Sequence, residues 1–421
     1  MTGAGGLRAY VAVTAAYWAF MLTDGALRML VLLHFHTLGF SPVQLAYLFL
    51  FYEVMGIVTN LSAGWLASRF GLTSTLYAGL AIQIAALVAL AGLDPAWPVA
   101  ASVVYVMAVQ GLSGVAKDLA KMSSKSAVKL LAPDTDGALF RWVALLTGSK
   151  NAVKGVGFFL GAAMLGLAGF RASVIGMAVA LAVILVAVAL FMPKGLPVGK
   201  KGTRVSAVIP GDPNIRALSL ARVFLFGARD TWFVVGIPVF FYGVLSDGTP
   251  EGARRAFFLI GGFMAAWIVL YGAVQANAPR LLRRTTGTTG ATVPASRFWV
   301  GVLTLIPALL ALAAGLQMPG LTAIVVAGLL AFGAVFALNS ALHSFLILAF
   351  SRSDRVTMDV GFYYMSNAAG RLLGTLLSGV SYQSGGVAGC LGAAALMSGA
   401  SWLAARRLEA LHVAADAPRS L

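Results

Sequence analysis

Cysteine is almost absent from this chain, which has one cysteine, Cys390, among 421 residues. A single thiol excludes an intrachain disulfide, and it also excludes a metal site built from clustered thiolates. We interpret Cys390, which lies in an apolar segment rich in Gly and Ala, as a packed core residue. Acidic residues are scarce too, with 14 Asp and Glu against 30 Lys and Arg, so the formal net charge is +16.

Charged residues of either sign make up only 10% of the chain, whereas 60% of it is hydrophobic and the mean hydropathy is +0.89. These values exclude a soluble domain of this length and predict a polytopic helical membrane protein. The apolar runs are continuous, unlike the alternating segments of about 10 residues in a membrane barrel. Much of the positive excess is then a topology signal in cytoplasmic loops, and no nucleic-acid partner is expected.

The apolar runs divide into two sets of six, each run long enough to cross a bilayer. They lie near residues 9–36, 42–67, 74–93, 97–120, 139–167, 170–192, 215–245, 254–279, 298–317, 320–350, 357–382 and 386–405. The pattern predicts an all-α protein with 12 transmembrane helices in two six-helix bundles. The bundles are residues 1–192 and 215–421, joined by a polar linker at 193–214.

The cations concentrate in alternate loops, so the positive-inside rule predicts that the linker and both termini are cytoplasmic. The first run is too long for a signal peptide and contains Asp24 and Arg28, so we interpret it as the first transmembrane helix. The two halves also echo each other. DGALR in the first run matches GARD in the seventh, and SKNAVKG in the fifth matches SNAAGR in the eleventh, as a duplicated transporter predicts.

The segment GWLASRFG at residues 64–71 resembles the loop signature Gly-x-Leu-x-Asp-Arg-x-Gly of the major facilitator superfamily. Gly64, Leu66, Arg69 and Gly71 match the signature, whereas Ser68 stands where the family has Asp. The resemblance, together with the six-plus-six arrangement and the long middle linker, implies the major facilitator superfamily fold. Ser68 lacks the carboxylate that forms the family's usual ion pair at this loop.

Charged residues inside the predicted spans are the main candidates for function, because each costs roughly 2.5–3.5 kcal/mol at the bilayer centre. Asp24 and Arg28 are four residues apart and share one helix face. They are either a self-neutralised pair or a cavity-lining Arg28 tuned by Asp24. Lys150 and Lys154 also share a face, and their mutual repulsion calls for a negative partner. That partner is either Asp118 or an anionic substrate.

The second half carries comparable candidates. Arg229 and Asp230 are adjacent and point about 100° apart, so we expect that they do not face each other and that Arg229 is freer than Arg28. Arg222, seven residues earlier, lies on nearly the same face. Arg371 has no acidic residue within four positions. Together these cations predict a substrate-binding set of Arg28, Lys150, Lys154, Arg229 and Arg371 lining one central cavity.

Four acidic residues are candidates for coupling or gating: Asp24, Glu53, Asp118 and Asp230. Glu53 has no cation in its own span, and it is either a neutral hydrogen-bonding acid or a proton carrier. Lys117, Lys121 and Lys125 form a basic stripe at the inner end of the fourth run. It either contacts anionic headgroups or collects anions at the inner mouth. His34, His36 and His343 lack the company of other metal ligands, so no metal and no cofactor are expected.

Six blocks resemble the ArsJ family of organoarsenical efflux permeases: YWAFMLTDGALRMLVLLHFHTLGFSP, LFLFYEVMGIVTNL, GLSGVAKDLAKMSSKSAVKLLAPD, LTGSKNAVKGVGFFLG, FLFGARDTWFVVGIPVF and NAAGRLLGTLLSG. The resemblance implies export of 1-arseno-3-phosphoglycerate, which a glyceraldehyde-3-phosphate dehydrogenase makes when arsenate replaces phosphate. Hydrolysis outside the cell then gives arsenate resistance. The dehydrogenase is a functional partner in this scheme.

The residues agree with that implication, because guanidinium and ammonium groups can hold the oxyanion of pentavalent arsenic. The expected protein is a monomer in the bacterial inner membrane that carries a small anionic substrate. An organophosphate exchanger of the same superfamily is the alternative. A membrane enzyme is disfavoured because no catalytic His/Cys cluster or nucleophile motif occurs. A drug exporter would need an acidic rather than a basic cavity.

Overall fold

The computed structural model describes the backbone of residues 4–131, 138–191, 210–282, 288–351 and 356–416. Within these ranges, the side chains left undescribed are those of residues 4–10, 63–72, 125–131, 138–149, 356–357 and 414–416. The signature segment at 64–71, most of the linker and Lys125 therefore lie outside the described side chains. Every regular element in the described ranges is helical, which confirms the predicted all-α class.

The helices follow one another along the chain, as expected for a membrane bundle in which each backbone polar group is satisfied within its own helix. They are α1 (Ala4–Thr37), α2 (Pro42–Ala91), α3 (Val99–Leu131), α4 (Ala138–Phe191), α5 (Pro213–Thr231), a π-helical segment (Trp232–Gly236), α6 (Ile237–Leu245), α7 (Pro250–Leu281), α8 (Thr289–Gly315), α9 (Leu321–Phe350) and α10 (Val356–Asp416).

Three of these helices, α2, α4 and α10, are too long for one crossing. The 54 residues of α4 would span about 80 Å at the α-helical rise, against a hydrocarbon core of about 30 Å. Non-helical backbone at Gly169 interrupts α4, and Gly385 and Gly386 interrupt α10. The described residues contain 10 candidate membrane spans by length and composition. Gly169 and Gly385 lie between predicted spans and Gly386 is the first residue of the last one, and the count of twelve stays a prediction.

Large apolar side chains are exposed along these helices, which is the surface that a lipid environment requires. Leu190, Phe191 and Leu396 are each more than 70% exposed, although they lie on well-formed helices. A soluble protein rarely presents such side chains in number. The exposed apolar surface and the helix lengths together identify a multi-pass membrane protein.

The chain forms two compact units. The first contains Met1–Phe40, Tyr47–Ser206 and Tyr242–Val269, and the second contains Ser41–Ala46, Ala207–Phe241 and Leu270–Leu421. Thus α1, α3 and α4 belong to the first unit, and α5, α8, α9 and α10 belong to the second. The predicted domain boundaries at 192 and 215 stay a prediction.

In the first unit, α1 and α4 approach each other through glycines. A Cβ atom placed on Gly157 would overlap the carbonyl oxygen of Leu22, and one on Gly161 would overlap the backbone of Ala26. Only glycine permits such a close approach of two backbones. The spacing Gly157-x-x-x-Gly161 therefore fixes where α1 contacts α4, and with it the level at which their polar side chains meet.

The second unit repeats this packing between α5 and α10. A Cβ atom on Gly370 would overlap the carbonyl oxygen of Val223, and one on Gly374 would crowd the backbone of Gly227. The four-residue glycine spacing is the same as in α4. Because the same contact recurs in both units, positions on α1 can be matched to positions on α5.

This match makes Arg28 and Arg229 equivalent. Arg28 lies two residues after Ala26, the backbone contact of the second glycine in α4, and Arg229 lies two residues after Gly227, the corresponding contact in α5. The sequence echo between the two halves therefore corresponds to a repeated helix contact. Each unit carries one arginine at the same level of its first helix.

The π-helical segment follows α5 directly and is held by two side chains of α10. The hydroxyl of Ser378 accepts hydrogen bonds from the backbone amides of Val235 and Gly236, at 3.1 and 3.0 Å. The thiol of Cys390, which is completely buried, lies 2.9 Å from the carbonyl oxygen of Thr231. Cys390 is thus a packed core residue, as predicted. A π-helical turn inside a helix often marks a functional region.

We expect the Gly161→Ala variant to be destabilised, because the added methyl group meets the backbone of Ala26 and neither helix can yield locally. Overpacking of this kind costs about 1–3 kcal/mol. Thermal unfolding of the purified protein in detergent measures the effect as a lower midpoint. Gly176→Ala is the matched control on the same helix, since nothing lies within 4 Å of its Cβ position. Equal midpoints for both variants would contradict the proposed helix contact.

Candidate functional site

Asp24 of α1 lies at the centre of the charged cluster in the first unit. Its carboxylate accepts a hydrogen bond of 2.6 Å from the Tyr52 hydroxyl and one of 3.0 Å from the Lys154 ammonium group. Asp24 is only 4% exposed. The ion pair joins α1 to α4 beside the glycine contact. The predicted partner Asp118 is thereby corrected for Lys154, whose paired carboxylate is that of Asp24, and the alternative of an anionic substrate stays a prediction.

Arg28, one turn further along α1, pairs with Glu53 of α2. Its two terminal nitrogens lie 3.4 and 3.5 Å from one carboxylate oxygen of Glu53, which is fully buried. The guanidinium also lies over the rings of Phe49 and Tyr52, at 5.2 and 5.6 Å from the ring centres. The predicted alternative in which Asp24 and Arg28 neutralise each other is therefore wrong, since each residue forms its ion pair with a residue of another helix.

Lys117 of α3 completes this cluster. Its ammonium nitrogen lies 4.0 Å from the centre of the Tyr52 ring, and the residue is 8% exposed. A cation on an aromatic face is stabilised by the ring quadrupole. With every group charged, three cations face two carboxylates, so the cluster of Arg28, Lys117, Lys154, Asp24 and Glu53 carries one net positive charge.

A second polar cluster joins α2 to α3 further along both helices. The carboxylate of Asp118 accepts a short hydrogen bond from the Thr59 hydroxyl and pairs with Lys121 at 3.3 Å. Lys121 also donates to the side-chain oxygen of Asn60 at 2.8 Å. Asp118 is 1% exposed. Lys121 of the predicted basic stripe is therefore engaged within the protein.

In the second unit, Arg229 and Asp230 pair with each other. The Nε and Nη2 atoms of Arg229 both lie 2.6 Å from one carboxylate oxygen of Asp230. The prediction that these neighbours cannot face each other is wrong. It considered the directions of the Cβ atoms, whereas the long arginine side chain bends around the helix to reach its neighbour.

Aromatic rings surround the Arg229 guanidinium. The centres of Phe226, Phe336 and Phe233 lie 4.8, 5.5 and 5.9 Å from its central carbon. The side chain is 15% exposed. Apolar rings around an ion pair lower the local dielectric constant and strengthen the pair.

Arg222 of α5 is the most deeply buried arginine among the described residues for which exposures are given, at 4%. Its Nε atom donates to the side-chain oxygen of Asn367 at 2.6 Å, and its terminal nitrogens contact Ser340. Lys154 of α4 and Asn367 of α10 occupy equivalent positions, because each lies three residues before the first glycine of its pair. In the first unit the cation of this polar contact is Lys154, on α4, whereas in the second unit the cation is Arg222, on α5.

The remaining predicted residues are placed as follows. Lys150 and Arg371 are half-buried, and each takes part in interactions. Lys125 lies outside the described side chains. Among the described residues, no group of three or more His, Cys, Asp or Glu is arranged to hold a metal ion. Convergence of the five predicted cations on one cavity stays a prediction.

Sequence reasoning missed two kinds of signal. The first is Tyr52, which contacts Asp24, Arg28 and Lys117. Its position beside Glu53 in a predicted span is the sequence signal of a buried aromatic residue with a polar tip. The paired glycines of α4 and α10 have the small-x-x-x-small spacing of close helix contacts. That spacing, which is visible in the sequence, indicates the level of α4 at which Lys154 meets α1.

No family model and no curated protein matches this chain. Several solved structures, in contrast, are similar to it. A mutant of the nucleoside transporter NupG matches with a TM-score of 0.69 and 16% identity, over 96% of this chain and 99% of that one. A bacterial homologue of the iron transporter ferroportin, in an inward-facing state, matches with a TM-score of 0.70 and 13% identity, over 96% and 99%.

A POT family transporter in complex with 5-aminolevulinic acid also matches, with a TM-score of 0.72 and 12% identity over 96% of each chain. At such identities the likeness concerns the fold. The chain has the major facilitator superfamily fold, as the sequence predicted.

Proposed function

We propose that this protein is a membrane transporter that exports an anionic organoarsenical, 1-arseno-3-phosphoglycerate, by alternating access. In this scheme a glyceraldehyde-3-phosphate dehydrogenase supplies the substrate, and the two proteins together give arsenate resistance. The protein acts as a monomer in the bacterial inner membrane, with both termini in the cytoplasm. The blocks that resemble the ArsJ family support this substrate, and the fold supports a transport role.

The observation that carries the anionic substrate is the presence of buried cations at the helix contacts of each unit. The first cluster brings together Arg28, Lys117 and Lys154. In the second unit Arg229 pairs with Asp230, whereas the partners of Arg222 among the described residues are neutral. An uncompensated charge in a membrane span is expensive. An anionic substrate offsets that cost while it is bound, and forked guanidinium groups match the oxygens of arsenate, phosphate and carboxylate.

The ion pairs support an exchange mechanism, in which the substrate oxyanion and the carboxylates of the protein alternate as partners of the same cations. Arg28, Lys154 and Arg229 each hold a carboxylate of the protein, at 3.4, 3.0 and 2.6 Å. A substrate oxyanion can take the place of these carboxylates, and the carboxylates can displace it again on release. Asp24, Glu53 and Asp230 are the coupling candidates in this scheme, because protonation of any of them frees its cation.

The similar structures leave the cargo open, since they are a nucleoside transporter, a homologue of an iron transporter and a transporter in complex with 5-aminolevulinic acid. An organophosphate exchanger is the second candidate. The same cations favour it, because phosphoryl and arsenyl groups are both tetrahedral oxyanions.

Everted membrane vesicles test the proposal, since export in cells becomes uptake in such vesicles. A purified dehydrogenase makes the acyl arsenate or the acyl phosphate at the vesicle surface, and arsenic, phosphorus and 3-phosphoglycerate inside are then measured. We expect uptake of the arsenate product, and a fall in uptake when the pH gradient is collapsed if protons drive the transport. Equal uptake of both products would favour the organophosphate exchanger, and uptake no greater than in vesicles without the protein would refute both.

A further inference from the structure

Arg222 differs from Arg28, Lys154 and Arg229 in having only neutral partners among the described residues. Among the described residues no carboxylate pairs with it, whereas Arg28, Lys154 and Arg229 each hold one. Its contacts are the amide of Asn367 and the backbone and hydroxyl of Ser340. A cation that is 4% exposed within a membrane span, without a counter-charge, is held at a large desolvation cost.

The guanidinium is fixed at one corner and loosely held at the others. Its Nε atom donates to Asn367 at 2.6 Å, while Nη2 lies 3.2 Å from the Ser340 hydroxyl and Nη1 lies 3.5 Å from the Ser340 carbonyl. The rings of Phe226 and Tyr363 flank it at 4.3 and 4.8 Å. The short bond and the rings fix the plane, and the two terminal nitrogens form a fork with long, weak contacts.

Several polar groups converge on one oxygen beside this fork. The hydroxyl oxygen of Ser340 lies 3.2 Å from Nη2 of Arg222, 3.2 Å from the side-chain nitrogen of Gln275 and 3.5 Å from the hydroxyl of Tyr271. The first two donors take both lone pairs of this oxygen, and the contact between the two hydroxyls can have either direction. The fork of Arg222 therefore shares one neutral acceptor with another donor, whereas an oxyanion supplies several charged acceptor oxygens.

A further buried polar group lies on the same helix as Ser340. His343, one turn along α9, is 1% exposed, and its Nδ1 atom has no hydrogen-bond partner among the described residues. Every residue in this arrangement belongs to the second unit. The polar side chains of α5, α7, α9 and α10 thus surround one uncompensated cation.

We propose that Arg222, held by Asn367 and flanked by Ser340 and Gln275, is an oxyanion-binding subsite of the transporter. It receives a phosphate, arsenate or carboxylate group in the fork of Arg222, and the oxygens of that group take the hydrogen bonds that now converge on Ser340. The subsite rests on the proposed transport of an organic anion. It adds to the second unit an anion contact at Arg222 that needs no displacement of a carboxylate, beside the pair of Arg229 and Asp230.

The variant Asn367→Asp separates this role from a structural one. Aspartate has the same shape and keeps the acceptor for Nε, but it supplies the missing counter-charge inside the protein. If Arg222 binds an oxyanion, the variant binds it at least about tenfold more weakly, because the new carboxylate competes for the guanidinium. If Arg222 is only structural, the charge-assisted bond stabilises the fold and leaves anion binding unchanged.

Calorimetric titration of the purified protein with 3-phosphoglycerate, inorganic phosphate and glycerate measures the effect and shows which acid group is bound. Asn277→Asp is the matched control, because it adds the same charge at an exposed position of α7. Arg222→Lys keeps the charge without the fork, so binding weaker than in the wild type supports bidentate capture. Thermal unfolding of each variant confirms that it is folded.

Two failures can be told apart in this experiment. Wild-type binding of 3-phosphoglycerate with an unchanged affinity in Asn367→Asp overturns the subsite and leaves the transport proposal standing. Absence of binding of all three probes by the folded wild-type protein counts against organic-anion transport, and the subsite falls with it.

Discussion

Cells that carry Arg28→Ala are expected to lose arsenate resistance completely, and the double variant Arg28→Ala with Glu53→Gln is expected not to recover it. The single variant removes a substrate-binding guanidinium, but it also leaves the fully buried Glu53 without its cation. Loss of one partner of a buried pair costs about 3–5 kcal/mol. The double variant removes both charges together, so it separates a defect in binding from a defect in folding.

Growth on arsenate and the amount of protein in the membrane are the two measurements. Arg171→Ala, at an exposed position of α4, is the control for loss of one arginine. Recovery of resistance in the double variant would show that Arg28 serves only to neutralise Glu53. The same design applies to Arg229→Ala with Asp230→Asn, because that pair occupies the equivalent level of the second unit.

Asp24→Asn is expected to bind the anionic substrate more tightly and to transport it more slowly. The carboxylate now competes with the substrate for Lys154 at 3.0 Å, and the amide retains the size of the side chain while removing its charge. A pair of charges at about 4 Å is worth about 4 kcal/mol near a protein surface, so a gain of roughly tenfold in affinity is a modest part of that interaction. Release is then slower, because no carboxylate displaces the substrate.

The dissociation constant of 3-phosphoglycerate and the rate of uptake into everted vesicles are measured on the same preparations. Asp94→Asn is the control, since that carboxylate lies at an exposed position between α2 and α3. Weaker binding by Asp24→Asn would mean that Asp24 positions Lys154 for the substrate instead of competing with it, and the exchange mechanism would then be wrong.

The architecture could be predicted from the sequence because a bilayer allows few alternatives. Long apolar runs must form helices, and the breaks at Gly169 and Gly385 lie in gaps between predicted runs. The charged residues of interest were also visible, since few charges occur in such runs. Hydropathy therefore identified which residues to consider and on which helices they lie.

The partners of those residues could not be predicted, because pairing depends on the rotation and level of one helix against another. Asp24 was compared with Arg28 on its own helix, whereas its partners are Tyr52 and Lys154 on two other helices. The glycine contacts set that register, and their effect on side-chain pairing appears only in three dimensions. The prediction that Arg229 and Asp230 do not face each other failed for a different reason. It considered the direction of the Cβ atoms and not the length and flexibility of the arginine side chain.

The burial of Cys390 has a practical consequence for measuring motion. Its sulfur atom lies in the interior beside the carbonyl oxygen of Thr231, with no exposed surface, and the chain has no other cysteine. Thiol-reactive spin labels and fluorophores can therefore be attached to cysteines introduced at exposed helix ends, with little background from the native thiol. Distances between such labels would follow the transport cycle in the otherwise unaltered protein.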